Sequence, residues 1–331
     1  YRVLSHPEGK AIPEILEHAE HLSLPGLDPQ RVIDLKLDGT KDSELYRLLL
    51  IAQCNALHAT LPFLFGRVDD LSELLLPDNL LHSDSILRKL VAEIPEEDWN
   101  SVEILGWLYQ FYISERKDEV MARKSAVPTE DIPAVTQLFT PHWIVRYLVE
   151  NSLGRLWLLN RPGSSLREHM PYYIEGEAET EFLRISKPEE IRLLDPAVGS
   201  GHMLTYAFDL LYLIYQEEGY VPHEIPGLIL RHNLHGLEIC PRAAQLAQLA
   251  LVLKARDKSR RFFQPGQMVQ PRILALQNVR FSERELATYF AALGASPSDL
   301  NPQLPELLRQ FEDATTFGSL IQPCMKEPEI T

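Results

Sequence analysis

The sequence predicts an α/β fold preceded by an α-helical region. Between residues 137 and 281, short aliphatic runs alternate with amphipathic stretches, which is typical of a doubly wound parallel sheet with crossover helices. A glycine turn, "DPAVGSG" at 195–201, joins the first aliphatic run to a stretch with helical spacing. In contrast, residues 1–125 carry apolar residues at three- and four-residue spacing, with little strand-like alternation.

The α-helical N-terminal domain is predicted over residues 1–125. Both "SELYRLLLIAQCNALHATLPFLF" and "VEILGWLYQFYISERKDEVMARK" show helical periodicity, and we expect the aromatic residues of the second stretch in a helix core. Residues 126–136 are polar and contain proline, which predicts a linker.

The α/β domain is predicted over residues 137–281. It opens with a helix in which Thr140 is the expected N-cap and Pro141 the first helical residue. Strands are expected at 191–194, within "NLHGLEI" and within "RILALQNV", with helices after the glycine turn and over "PRAAQLAQLALVLKAR". A proline-containing loop is expected near 219–233.

The last region, residues 282–331, is predicted to be an acidic, helical C-terminal extension. Helical turns are expected around "ERELATYFAAL" and "LPELLRQFEDA". Because the chain begins at Tyr1 rather than Met and its sheet is small, we expect a fragment that is truncated within this extension.

Charge is distributed unevenly along the 331 residues. The net charge is −15, which argues against a free-standing nucleic-acid binder. Residues 137–281 hold 16 basic and 15 acidic side chains, whereas the flanks hold 16 and 32. The predicted α/β domain is therefore nearly neutral between acidic neighbours.

The cysteines and the apolar runs indicate a cellular location. Cys54, Cys240 and Cys324 are odd in number and lack CxxC spacing, which favours reduced thiols. Neither a signal-peptide pattern nor a bilayer-length apolar run occurs in the sequence. We expect a cytoplasmic protein without membrane association.

The glycine turn predicts the kind of ligand. It contains no cation and no Walker pattern, and Leu204 stands where the dinucleotide fingerprint has its third glycine. Asp195 lies at the strand end, where a carboxylate suits a cationic ligand group better than a pyrophosphate. S-adenosylmethionine has an ammonium and a sulfonium group, and Gly199 and Gly201 would let it approach the backbone closely.

A second carboxylate, Glu238, follows the next predicted strand. An acidic residue at this point can accept hydrogen bonds from both ribose hydroxyls of a nucleoside. An ordinary strand-end carboxylate is an equally good interpretation of Glu238 by itself.

The motifs, in their order along the chain, resemble a known family. The stretches "TQLFTPHWIVRYLVENSLGRLW", "LLDPAVGSGHML", "GLEICPRAAQLAQLALVLKAR" and "ILALQNV" look like the amino-terminal portion of an adenine-specific DNA methyltransferase of the gamma motif order. The nearest resemblance is to the PglX methyltransferases of BREX phage-exclusion systems. It implies a partial Rossmann-like class I methyltransferase sheet after an α-helical N-terminal domain, with S-adenosyl-L-methionine as cofactor.

The resemblance also implies cofactor-binding roles for individual residues. Thr140 and Pro141 would line the methionine end, while Asp195, Ala197, Gly199 and Gly201 would form the floor, with Asp195 facing the ammonium group. Glu238 would hold the ribose and Ile239 would lie against the adenine ring. Asn278 occupies the position of an adenine-amino contact, although an asparagine that forms a turn after a strand is an equal alternative.

The catalytic motif of this family is absent from the sequence. No Asn/Asp-Pro-Pro-Tyr/Phe tetrapeptide occurs, since "NPQLP" lacks the second adjacent proline and the aromatic residue, and a target-recognition domain is also missing. We therefore predict no catalytic or metal-ligating residue here.

The predicted function is the cofactor-binding part of a DNA adenine methyltransferase in phage defence or restriction–modification, inactive alone. Its partners would be double-stranded DNA, through the full-length protein, and proteins of a defence complex. The alternative is a non-catalytic cofactor-sensing or docking module.

Overall fold

The computed structural model describes residues 14–68, 71–95, 97–123, 125–138, 140–177, 179–264, 266–292 and 304–323. The chain forms two compact units, Tyr1–Ser101 and Val102–Thr331. This division lies before the linker that the sequence predicts at 126–136, where the structure has a 3-10 turn and a short helix. The first three residues of "NPQLP" fall outside the described ranges.

The first unit is helical, as its periodicity predicts. Its α-helices are α1 (Glu14–Glu17), α2 (Pro29–Asp38), α3 (Asp42–Thr60) and α4 (Ile86–Glu93). Local signals fix their ends: the Asp28 side chain accepts a hydrogen bond from the Gln30 N–H at 3.0 Å, and Gly39 ends α2 in a left-handed conformation. Buried Leu45 and Leu49 of α3 belong to the core of this unit.

The second unit combines helices with a small sheet. Its α-helices are α5 (Ile104–Ala122), α6 (Ile132–Thr136), α7 (His142–Val149), α8 (Arg155–Asn160), α9 (His202–Glu217), α10 (Ile225–Leu228), α11 (Pro241–Lys258), α12 (Glu283–Ala292), α13 (Leu304–Gln310) and α14 (Ala314–Phe317). Its strands are β1 (Leu193–Asp195), β2 (Leu234–Glu238) and β3 (Arg272–Ala275). Each strand overlaps one of the three predicted runs.

Two local predictions are wrong in detail. The helix expected to start at Pro141 begins at His142, with Pro141 at the N-cap position and no side-chain cap from Thr140. Pro141 has a ψ of 141°, which is extended rather than helical, so it precedes the helix, and its carbonyl oxygen accepts from the Val145 N–H at 3.1 Å. The predicted loop near 219–233 contains α10 and then a π-helical turn, Ile229–Asn233, whose buried apolar residues pack into the unit.

The sheet is parallel, with strand order β1-β2-β3. Helices α9 and α11 pack against each other, and buried strand residues such as Leu234 and Ile273 lie on one face. Gly236 lies at the tightest point of that face, because a Cβ atom there would come within 2.4 Å of Cγ2 of Val198. A larger residue at 236 would separate the turn from the sheet.

The opposite face of the sheet is open. Leu194 and Leu274 are 57% and 65% exposed, so the helices of the described residues do not bury this face. The structure is therefore a mostly helical α/β fold whose sheet is covered on one side. The doubly wound arrangement predicted from the sequence places helices on both faces, which these residues do not show.

Helix α9 contributes to the core of the second unit. Its buried side includes Leu204, Phe208, Leu211 and Ile214, all fully enclosed. Burial of each such side chain contributes roughly 1.5–3 kcal/mol. Within the described ranges, no helix combines the length and the apolar content needed to cross a bilayer.

Candidate functional site

The turn after β1 folds tightly onto β2. The Val198 N–H donates to the Leu237 carbonyl oxygen at 3.0 Å, which holds the turn at the carboxyl end of the sheet. Gly199 and Gly201 have φ values of 57° and 91°, a conformation that favours glycine. A Cβ atom at Gly201 would also lie 3.0 Å from Cβ of Ala247 in α11. Both positions therefore favour glycine because of their backbone conformation, and Gly201 also because α11 packs closely against it.

Asp195 begins this turn and accepts a hydrogen bond from within it. Its Oδ1 accepts from the Ala197 N–H at 3.0 Å. Burial raises the pKa of the Asp195 carboxyl group; the bond from Ala197 opposes this shift, and the nearby Glu238 carboxylate adds to it. Two carboxylates in a partly desolvated place favour a cationic ligand group, because a positive charge relieves their repulsion.

Glu238 connects the loops that follow β1 and β2. This buried side chain accepts through Oε2 from the Gly199 N–H at 2.7 Å and through Oε1 from the Cys240 N–H at 2.9 Å. Its backbone oxygen accepts from the Leu276 N–H at 2.7 Å, just beyond β3. Each carboxylate oxygen has a further lone pair, so Glu238 can accept from ligand hydroxyls while it holds the loops.

A cavity of about 290 Å³ opens at this end of the sheet. Four of the predicted cofactor residues line it: Ala197, Gly199, Glu238 and Ile239. The other five belong to described parts of the chain but lie off its lining: Thr140, Pro141, Asp195, Gly201 and Asn278. Asp195 and Gly201 nevertheless shape the turn that forms the floor.

The C-terminal region supplies one wall of the cavity. Residues 316–320 line it, and Gly318 approaches Ile239 so closely that a Cβ atom would lie 3.1 Å from Cγ2 of Ile239. Asn278 positions this wall, because its Oδ1 accepts from both the N–H and the hydroxyl of Thr315 at 2.9 Å. The oxygen of Asn278 is thus engaged within the protein, in line with the alternative of an asparagine that organises the chain after a strand.

Thr140 lies beside the glycine turn rather than on the cavity lining. Its backbone forms a hydrogen bond with the imidazole of His202, the first residue of α9. Burial lowers the pKa of His202, while the Glu103 charge and the hydrogen bond to the Thr140 backbone oppose this shift. The segment that leads into α7 is therefore attached to the same turn as Asp195.

Helix α5 packs against the glycine turn. A Cβ atom at Gly106 would lie 2.7 Å from Oγ of Ser200, so the helix backbone touches the turn directly. Farther along, the Tyr109 hydroxyl lies 3.4 Å from Sγ of Cys240, next to Glu238. The sequence assigned α5 to the N-terminal domain, whereas its contacts are with the second unit.

Several lining residues were missed in the sequence: Ile132 and Thr136 of α6, Pro196 of the glycine turn, and two further groups. Gln137 and Leu138 precede the Thr140–Pro141 pair, and residues 316–320 come from the predicted extension. Gln137 follows Thr136 and opens the stretch "QLFTP", and no local pattern marks it as a lining residue. No local pattern marks residues 316–320, apart from the glycine at 318.

The fold is thus an α/β fold with a cavity, lined by Glu238 and the glycine turn, at the carboxyl ends of its parallel strands, which is where open α/β sheets bind ligands. Sequence comparison gives its relatives. The chain is 46% identical to the adenine-specific methyltransferase BrxX of Escherichia coli O9:H4 (strain HS) and 37% identical to the adenine-specific methyltransferase PglX of Lacticaseibacillus casei (strain Zhang). Both alignments cover 97% of the chain. The chain is thus homologous to adenine-specific methyltransferases of the BrxX and PglX type, and the predicted resemblance is confirmed.

The chain spans only part of these relatives, 29% of BrxX and 28% of PglX. A more distant relative is a putative type II restriction enzyme and methyltransferase of Methanocaldococcus jannaschii, 27% identical over 49% of the chain and 14% of that protein. No protein-family profile matches the chain.

Proposed function

We propose that this chain is the S-adenosylmethionine-binding part of a DNA adenine methyltransferase that acts in phage defence. The observation that carries the proposal is the buried Glu238 carboxylate, fixed by two backbone N–H groups at the edge of a cavity with a glycine floor. Homology to two adenine-specific methyltransferases over 97% of the chain supports the same function.

The residues present fit this cofactor. Asp195 and Glu238 supply negative charge for a ligand with an ammonium and a sulfonium group, and Gly199 leaves room for it beside the backbone. Glu238 would accept from the ribose hydroxyls, and Ile239 with Gly318 would enclose the adenine ring. Bound cofactor supplies an electrophilic methyl group; the residues of this chain bind it, orient it and exclude water.

The remaining predicted residues have supporting roles in this proposal. Thr140 and Pro141 would face the carboxylate of the cofactor from the start of α7. Ala197 and Gly201 form the floor and its turn, while Asn278 positions the wall through Thr315. Double-stranded DNA, reached through the full-length protein in the cytoplasm, would supply the adenine, and a phage-defence complex would supply protein partners.

Isothermal titration of the chain with S-adenosylmethionine tests the proposal. We expect binding that weakens roughly 10–100-fold in Glu238→Gln, because a charged acceptor for the ribose is lost. Asp195→Asn is expected to weaken binding as well. The matched controls are Glu177→Gln and Asp257→Asn, both exposed and away from the cavity, which should bind as the wild type does.

Absence of binding by a folded wild-type chain would contradict the proposal. Binding that is unaffected by both Asp195→Asn and Glu238→Gln would show that the cofactor site lies elsewhere. Binding without methylation of DNA by the same chain would agree with a cofactor-binding part that needs the rest of the protein for transfer.

A further inference from the structure

Arginines lie at the amino ends of all three strands. Arg192 directly precedes β1, Arg231 lies in the π-helical turn before β2, and Arg272 is the first residue of β3. Because the strands are parallel, their amino ends meet at one edge of the sheet, opposite the edge that carries Glu238 and the cavity. Together with Lys187, which precedes β1, the three arginines define what we call the amino edge. All four side chains belong to exposed residues.

Two histidines show that the arginines lie close together. His235 of β2 is the cross-strand partner of Arg272, and its Nε2 lies 3.3 Å from Nη1 of that arginine. Burial lowers the pKa of His235, and the charges of Arg272 and Arg192 lower it further. Burial also lowers the pKa of His232, with the charges of Arg231 and Arg272 acting in the same direction. The positive charges of the three strands therefore act on one shared region.

The cations of the amino edge are not neutralised by ion pairs. Within the described ranges, Lys187 and the three arginines form no ion pair with a carboxylate. The acidic side chains nearby have other partners: Glu189 accepts from the Tyr220 hydroxyl at 2.9 Å, and Glu190 accepts from the Ser186 hydroxyl at 2.6 Å. Like charges held together repel one another, so this arrangement favours an anionic partner.

Helix α11 brings further positive charge toward the amino edge. The helix starts after the carboxyl end of β2, and the Gln248 side chain donates to the Ile273 carbonyl oxygen at 2.8 Å on the way back. From Gln248, the helix continues for about 15 Å to its end at Lys258. Exposed Lys258, Arg260 and Arg261 lie at or just beyond this end.

The local charge is opposite to that of the whole chain. The segments at this end of the sheet hold nine Lys and Arg against three Asp and Glu, whereas the chain holds 32 against 47. Six of the nine are arginines, whose planar guanidinium groups match phosphate oxygens in a bidentate geometry. The segments counted are 186–192, 231–235, 254–261 and 270–272.

We propose that the amino edge binds the phosphate backbone of double-stranded DNA. This inference rests on the proposed function, in which duplex DNA is the substrate, and it adds a DNA contact on the side of the sheet away from the cofactor cavity. Arginines on neighbouring strands meet phosphates rather than base edges, so the contact positions the duplex without reading its sequence.

The salt dependence of DNA binding tests this surface. Fluorescence anisotropy with a labelled duplex of mixed sequence should give a Kd of roughly 1–100 μM for the wild-type chain at physiological salt. The triple variant Arg192→Gln/Arg231→Gln/Arg272→Gln should bind roughly 10-fold more weakly or worse. The slope of log K against log salt should become shallower by about 2–3, because each phosphate contact contributes about 0.9.

Two further triple variants separate a local contact from total charge and from folding. Arg31→Gln/Arg284→Gln/Arg309→Gln removes the same charge from exposed arginines elsewhere, and its salt slope should match that of the wild type. Lysine in place of the three amino-edge arginines keeps their charge. This variant should retain most of the salt slope that the glutamine variant loses.

Four results would overturn the assignment: no duplex binding by the wild-type chain, equal weakening by the control triple, loss of the slope in the lysine variant, or equally tight binding of polyglutamate. The last result would identify an acidic protein as the partner instead.

Calorimetry with S-adenosylmethionine keeps this surface apart from the proposed function. The glutamine triple should bind the cofactor as the wild type does, because its three positions lie off the cavity lining. Cofactor binding without duplex binding would leave the proposed function intact and remove only the amino-edge contact. Absence of cofactor binding by a folded wild-type chain would contradict the proposed function, and DNA as the ligand of this edge with it.

Discussion

Glu238 Oε2 accepts a hydrogen bond from the Gly199 N–H at 2.7 Å. This bond joins the end of β2 to the turn after β1, and the second oxygen of the same carboxylate holds Cys240. One side chain thus fixes two loops that the sequence separates by a helix and a proline-containing segment. The Glu238 carboxylate is therefore held in a fixed position by the protein's own backbone.

The stability of the free chain should depend on both oxygens of Glu238. In Glu238→Gln, an NH₂ group must face either the Gly199 or the Cys240 N–H, so one buried donor loses its acceptor. We expect the free energy of unfolding in urea to fall by roughly 1–3 kcal/mol. Glu177→Gln, an exposed glutamate in a loop, should change it by less than about 0.5 kcal/mol. Equal stability of the two variants would mean that the two bonds contribute nothing measurable.

The pKa of Asp195 predicts a pH-dependent effect on stability. Because burial raises this pKa in the folded chain, the folded state holds the proton more tightly than the unfolded state. The stabilisation by this carboxyl group is present below its unfolded pKa and is lost as the pH rises through its folded pKa. Asp195→Asn keeps an acceptor for Ala197 and does not titrate. Its Tm should exceed that of the wild type at about pH 8, with the difference narrowing toward about pH 4.

Asp257→Asn serves as the control for that series, since Asp257 is exposed on α11. A difference between Asp195→Asn and wild type that stays constant from about pH 4 to about pH 8 would contradict the assigned titration.

Substitution of Gly318 should destabilise the cavity wall formed by residues 316–320. Its φ of 51° with ψ of −124° disfavours any side chain, and a Cβ atom would press on Ile239. We expect Gly318→Ala to cost roughly 1–3 kcal/mol and to speed hydrogen exchange at residues 316–320. Gly219→Ala is the control: it also has a positive φ, of 80°, but its Cβ atom would meet nothing within 4 Å. That variant should lose stability without faster exchange at the wall.

Gly106→Ala should lower the free energy of unfolding, although a glycine-to-alanine change inside a helix usually raises it. Alanine inside a helix is normally favoured over glycine by about 1 kcal/mol. At this position of α5 the new Cβ atom would lie 2.7 Å from Oγ of Ser200, so we expect a net loss of roughly 1–3 kcal/mol. The loss should shrink in a Ser200→Gly background, which removes both Oγ and Cβ of residue 200 (2.7 and 2.9 Å from the new Cβ atom), and a double-mutant cycle measures the difference. A stabilised Gly106→Ala chain would show that α5 does not touch the turn.

Much of the site could be predicted because its signals are local. A glycine turn after a short aliphatic run, and a carboxylate after the next run, are visible in a few consecutive letters. They predicted Gly199 and Glu238 on the cavity and the three parallel strands around it. The homology to adenine-specific methyltransferases followed from the order of these motifs. The residue roles assigned by resemblance stay predictions.

The remaining features depend on contacts between distant segments. Helical spacing identifies the apolar side of α5 but not its partner, so its packing on Ser200 could not be predicted. The wall at 316–320 exists because Gly318 meets Ile239 and Asn278 holds Thr315.

The open face of the sheet has a consequence for how this protein behaves in concentrated solution. Leu194 and Leu274 lie on the same face on either side of β2, where they pair with His235 and Leu237, and strands β1 and β3 form the two edges of the three-stranded sheet. An apolar strip beside a strand edge promotes self-association. Leu194→Lys with Leu274→Glu would add charge to that face, away from Glu238 and the cavity. Such a variant should remain monodisperse in light scattering at the concentrations that calorimetry requires.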